Sequence, residues 1–175
     1  MSELLNEFLQ RANQVLQQVE PLLPKPTEPI DWNEVYAASW QRQGNSSFFR
    51  PIVLGADIRI TNLLGVERQS EQLLRNTQQF MRGFPANHAL LWGARGTGKS
   101  SLVRALLAEY APAGLRLIEV ERNDLADLPM IVESLAGLAQ HFIVFCDDLS
   151  FEAGEGDYRI LKSVLDGSLE RAPDN

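Results

Sequence analysis

A single cysteine, Cys146, leaves this 175-residue chain no internal disulfide, so its fold rests on a packed core and fits a reducing compartment. Histidine is scarce too: His88 and His141 each stand just before an apolar strand segment and read as structural. No apolar run reaches the ~20 residues that span a bilayer. The start, Met1-Ser2-Glu3, opens on an acid with no basic stretch and apolar run behind it, so the expected location is the cytoplasm. Positive charge is in deficit, with 16 Lys and Arg against 23 Asp and Glu, a net charge of −7 and a pI near 4.9. That balance disfavours broad nucleic-acid binding by bulk charge, while a local basic patch stays open. Internal repeats and low-complexity tracts are absent. A hydrophobic share of 45% suits one soluble domain with an appendage.

Four segments follow from the pattern. Residues 1–20 carry Leu4, Leu5, Phe8, Leu9, Ala12, Val15, Leu16 and Val19 at helical spacing, an amphipathic helix. Its stripe must be buried somewhere, by self-association, by a partner or by packing back. Residues 21–30 hold Pro21, Pro24, Pro26 and Pro29, a stiff linker. Residues 31–62 form a helical or extended segment: Asp31 with Glu34 reads as a capping box, and Trp32, Tyr36 and Trp40 then share one side of a short helix ended by Gly44. That stripe either packs on the main domain or offers a partner groove. Residues 63–175 alternate in kind. Glu67–Phe84 is helical, Ala89–Trp92 an apolar strand, Ser100–Tyr110 a helix, and Leu115–Val120 a strand. A helix begins near Pro129, Phe142–Cys146 is a wholly apolar strand, and Tyr158–Arg171 is a last helix. Strand and helix in alternation signal a parallel α/β sheet.

Between the first strand and its helix lies Gly93-Ala94-Arg95-Gly96-Thr97-Gly98-Lys99-Ser100, a full match to G-x-x-x-x-G-K-[ST]. Glycines let the backbone wrap phosphate oxygens with its N–H groups inward. Lys99 brings a positive charge to the β- and γ-phosphates, Ser100 offers a hydroxyl to Mg²⁺, and the helix start, Ser101 included, faces the anion with free donors. The ligand so implied is ATP with Mg²⁺. Asp147 and Asp148 directly follow an apolar strand, where a second metal contact belongs; Asp147 is assigned to the metal and Asp148 to the attacking water. Arg95 either touches phosphate or a neighbouring subunit, or is solvated. Cys146 is a small apolar filler. Glu152, Glu155 and Asp157, among Gly154 and Gly156, form an acidic loop that is solvated or binds a partner.

These blocks, with Leu63-Leu64-Gly65-Val66-Glu67 upstream, resemble the AAA+ superfamily of ATPases, and most closely a bacterial family of predicted AAA+ ATPases of unknown function. The resemblance runs from about residue 31 onward and includes Leu91–Ser101, Phe145–Glu152 and Tyr158–Gly167. It implies that Leu64, Gly65 and Val66 lie against adenine, Lys99 and Ser100 on phosphate and metal, and Asp147 on metal. Many members carry glutamate at the position of Asp148. Such ATPases continue with a sensor strand, a fifth strand, an arginine finger and often a lid, which the resemblance would place past Asn175. The expected fold is therefore an α/β, P-loop NTPase (AAA+-like) parallel sheet flanked by helices, truncated after the third core strand, with an N-terminal helical extension. The missing fourth strand would lie between the first and third, leaving edges unpaired and the chain marginally stable.

Two functions fit. One is an AAA+ ATPase that couples Mg-ATP hydrolysis to conformational work on a macromolecular partner, as homo-oligomeric rings do. The other is a nucleotide-dependent switch or scaffold with little hydrolysis. A small-molecule kinase fits less well, because some 90 residues precede the loop. A guanine-nucleotide switch lacks its Asp-x-x-Gly after the third strand.

Overall fold

The computed structural model describes residues 6, 8–14, 29–44, 46–53, 55, 58–149 and 173–175. The acidic loop around Glu155 and the helix expected over Tyr158–Arg171 lie outside them, as does nearly all of the proline linker. Residues 8–14 are helical, with Phe8 and Leu9 exposed.

A four-stranded sheet organises the rest, with strands β1 (Ala37–Gln43), β2 (Ser46–Pro51), β3 (Leu115–Glu119) and β4 (His141–Phe145) in the order β2-β1-β3-β4. β1 and β2 are an antiparallel hairpin, whereas β1–β3 and β3–β4 are parallel. The architecture is α/β with a mostly parallel sheet and helices on both faces. The helices are α1 (Glu67–Met81), α2 (Lys99–Tyr110) and α3 (Leu128–Leu135), with short 3-10 turns before α1, after α2 and before α3. No helix among the described residues is long and apolar enough to cross a membrane.

Period-two alternation divides the core into two layers. Ala37, Leu115 and Leu117, with Ile143 and Phe145, pack on Val103 and Leu107 of α2 and on Phe80 and Met81 of α1. Ala38, Trp40, Ile118 and Val120, with Phe142 and Val144, pack on Leu128, Ile131 and Leu135 of α3. Burying each such large apolar side chain contributes about 1.5–3 kcal/mol.

The hairpin corrects the helical reading of Trp32, Tyr36 and Trp40. Asp31 does accept the Asn33 N–H at 2.9 Å, but the turn it caps ends by Val35 and the chain goes extended. Steps of four satisfy a helix and also a strand, since four is even. The strand prevails because Trp40 can pair across to Phe49 and reach the core. Trp32 and Trp40 are buried, edge-on to Phe49, and Trp32 is edge-on to Phe142 as well. Trp40 Nε1 donates to Asp127 at 3.0 Å, and Arg42 lies 3.6 Å from the same carboxylate. Gly44 closes the hairpin at φ 62°, a left-handed turn that glycine enters without strain.

A second correction concerns Ala89–Trp92, which is not a strand. Leu91 packs against the α2 layer, while Leu90 and Trp92 are exposed. A strand needs a backbone partner, and the sheet of described residues ends at β4. There the Phe142 N–H donates to the Asn175 carbonyl at 2.7 Å. The Asn175 amide in turn donates to the carbonyls of Leu135, Leu138 and Gln140.

Arg116 ties the pieces together. Only 4% exposed, it donates to the carbonyls of Trp32, Ala111 and Leu115, and its guanidinium sits 4.8 Å from the centre of the Tyr36 ring. Burial lowers its pKa from the usual guanidinium value, and the carbonyls and ring offset that cost. Arg116→Met is expected to lower stability by roughly 2–4 kcal/mol, because buried carbonyls lose their donors. Arg116→Lys should recover little of it, having no planar fork to reach three acceptors. Urea unfolding with an unchanged midpoint in Arg116→Met would remove Arg116 from this role.

Candidate functional site

In a parallel sheet the carboxyl ends of the strands and the helix N-termini gather on one rim, and ligand-binding groups collect there. The glycine-rich loop leads into α2 on that rim. Gly96 and Gly98 stand at φ 83° and 88°, and Gly98 is the cap from which α2 starts. A Cβ there would strain the backbone by about 1–2 kcal/mol, so glycine keeps the turn tight. The first helical bond runs from the Leu102 N–H to the Gly98 carbonyl at 2.9 Å, so the N–H groups of the first turn stay open to an anion. Thr97 closes the loop by donating to the Ala94 carbonyl at 2.8 Å. Lys99 Nζ turns back over the loop and donates to the carbonyls of Gly93 and Ala94, each at 3.1 Å. The ammonium is thus drawn back onto the carbonyls of its own loop. Arg95 is exposed.

From β4 comes the acid. Ser100 Oγ donates to Asp147 Oδ2 at 2.6 Å, while Asp147 Oδ1 accepts the Asp148 N–H at 3.0 Å. Both carboxylate oxygens are therefore engaged and the group is fixed. The serine hydroxyl and the carboxylate, 2.6 Å apart, put two hard oxygen ligands side by side, of the kind that could hold Mg²⁺. Asp148 has φ 52°, a left-handed conformation that aspartate tolerates better than most residues. The chain turns away there, and the Asp148 side chain no longer continues the strand's alternation.

Beside the Ser100–Asp147 pair lies a cavity of about 110 Å³. Val103, Leu117 and Phe145 form part of its wall, and Arg104 and Glu119 bring charge to it. Leu64, Gly65 and Val66 stand apart from this geometry. Leu64 is 88% exposed, and the Gly65 N–H donates to Glu67 at 2.9 Å. A hydrogen bond from its own backbone N–H, and after it the Gly65 bond, hold the Glu67 carboxyl below its usual pKa. No hydrogen bond joins residues 64–66 to the loop among the described residues, though the neighbouring turn Ile60–Asn62 meets α2.

Comparison with known proteins bears on this arrangement. A family described as Protein of unknown function (DUF815) matches residues 33–175. The chain belongs to that family. It is also 26% identical over 115 residues to the Replication factor C large subunit of Staphylothermus marinus, covering 61% of this chain and 26% of that protein. The chain thus spans about a quarter of the length of the curated relative it matches. No solved structure matches it.

Glu119 and Arg104 carry no motif and escape a reading by motif alone. Alternation offers the one signal for Glu119, which follows Leu115 and Leu117 on the same face of β3.

Cys146 is half-buried on the α3 side of the sheet, and burial, with the charge of Asp147 adding to it, pushes its thiol up to about 11. The thiol is thus neutral from acid to mildly basic pH, and thiolate appears only as pH climbs toward that value. Alkylation of the native chain at pH 8 is expected to run at least roughly tenfold slower than for a free thiol, after the greater nucleophilicity of a high-pKa thiolate is allowed for. Iodoacetamide labelling followed by mass should show this, with the difference abolished in urea. Native labelling at the free-cysteine rate would mean the thiol is not shielded.

Proposed function

We propose that this DUF815 chain binds ATP with Mg²⁺ at the loop Gly93–Ser100, and that it belongs to an AAA+-type ATPase that works on a macromolecular partner. The observation that carries this reading is the Ser100–Asp147 hydrogen bond at 2.6 Å, made between residues 47 apart in sequence. It joins the end of the phosphate-loop motif to the acid after an apolar strand, as a shared metal site requires. The similarity to a replication factor subunit supports an AAA+ relationship and, with it, assembly with further subunits. The client is a proposal of class only, a macromolecule.

In this reading Lys99 and the loop N–H groups, including those of Ser100 and Ser101, hold the β- and γ-phosphates. Ser100 and Asp147 hold Mg²⁺, which supplies neutralising charge to the phosphates when bound. Leu64, Gly65 and Val66 are proposed to face adenine, and Asp148 is the acid nearest in sequence for orienting water. A second reading, a nucleotide-dependent switch with little hydrolysis, is favoured by the left-handed turn at Asp148, which directs that acid off the strand.

Lys99→Ala should lower ATP affinity at least about tenfold, as loss of a charge-assisted contact does. Its melting temperature should stay close to wild type, since Lys99 lies outside the core. Calorimetry of a folded Lys99→Ala chain with wild-type ATP affinity would end the assignment.

Asp147→Ala is expected to act on the metal, abolishing the Mg²⁺-dependent part of nucleotide affinity while the metal-free part persists. If affinity with and without Mg²⁺ fell by the same factor, Asp147 would be serving the loop's shape and not a cation.

A further inference from the structure

We propose that Glu119 is a positioning residue of this site, a second carboxylate that holds a water on the cavity side of the Ser100–Asp147 pair. The inference rests on the Mg-ATP reading above and extends it to a strand that carries no motif.

Strand register makes the first part of the case. Glu119 is opposite Phe145 in the parallel β3–β4 pairing, two residues beyond Leu117. Leu117 and Phe145 both belong to the layer that packs on α2, the helix that carries Ser100. The Glu119 side chain therefore leaves the sheet on the same side as Ser100, and it lines the same cavity as Ser100 and Asp147. Asp148 does not line that cavity.

The chemistry of the wall makes the second part. Ile52, Val103, Leu117 and Phe145 give the cavity apolar sides, against which a carboxylate needs a polar partner. Glu119 is only partly exposed, and its side chain has no hydrogen bond or ion pair among the described residues. The cavity of about 110 Å³ has room for several waters. Water is then the partner available to Glu119, and the same water lies within the site where Ser100 and Asp147 would hold a cation. Arg104, one turn along α2 from Ser100, lines the cavity as well and brings a positive charge to the same wall. A carboxylate that accepts from a cation's water tightens the hold on that cation from outside its own ligands.

The test is a Mg²⁺ titration of the full chain in the presence of ATP, followed by calorimetry, for wild type, Glu119→Gln, Glu119→Asp and, as a control on the exposed side of α3, Glu133→Gln. Glu119→Gln should raise the Mg²⁺ concentration for half-saturation about three- to tenfold and leave ATP affinity without Mg²⁺ unchanged. Glu119→Asp, which keeps the charge, should recover part of the loss, and Glu133→Gln should titrate like wild type. Wild-type Mg²⁺ dependence in Glu119→Gln, with its melting temperature retained, would overturn the proposal and leave the nucleotide site standing. A loss equal with and without Mg²⁺ would also overturn it, because packing rather than metal would explain it. A wild-type chain that binds no ATP at all would overturn the nucleotide reading, and this one with it.

Discussion

β3 is the strand on which everything else depends, because it is buried on both faces and paired along both edges. Leu115, Leu117 and Ile118 are at most 6% exposed. A strand so placed cannot turn to water for its backbone bonds, so each edge must find a neighbour. The hairpin satisfies one edge through Leu117 N–H to the Tyr36 carbonyl at 3.0 Å, and β4 satisfies the other through pairs from Leu115–His141 to Glu119–Phe145. Arg116 then fastens the loop before β1 to the foot of the same strand. Helices α2 and α3 each cover one of its faces, and the site forms on the rim where β3 and β4 end.

Much of the candidate site could be read without coordinates, since the information is local. Gly93–Ser100 needs only a tight turn and a helix start, both determined by residues within the motif. Asp147 follows from a run of five apolar residues that must stop at the surface. Helices α1, α2 and α3 and strands β3 and β4 were legible for the same reason, each having a period or a run strong enough to stand alone.

What failed depended on contacts distant in sequence. Trp32, Tyr36 and Trp40 fit a helix at their own spacing, and nothing nearby announces that Trp40 will meet Phe49 and donate to Asp127. Ala89–Trp92 has the composition of a buried strand, but composition does not supply a neighbour. Its Leu91 is held by side-chain packing, and its backbone stays outside the sheet of described residues. Secondary structure in a sheet is thus a property of pairs of segments, and the reading from one segment stops there.

Parity decides between the two acids after β4, and it could have been counted in advance. Ile143 and Phe145 face α2, whereas Phe142, Val144 and Cys146 face the α3 layer. Two residues past Phe145, Asp147 arrives on the side of Ser100 and bonds to it. Asp148 has the parity of Cys146, and its left-handed backbone takes the chain out of the alternation altogether. The same count along β3 brings Glu119 to the α2 side. A slip of one residue in the β3–β4 register would exchange these assignments, sending the β4 side chains and Asp147 to the opposite layer. The hydrophobic pattern of the strands thus does more than hold the sheet together: by fixing register, it determines which carboxylates the Gly93–Ser100 loop and its helix can meet.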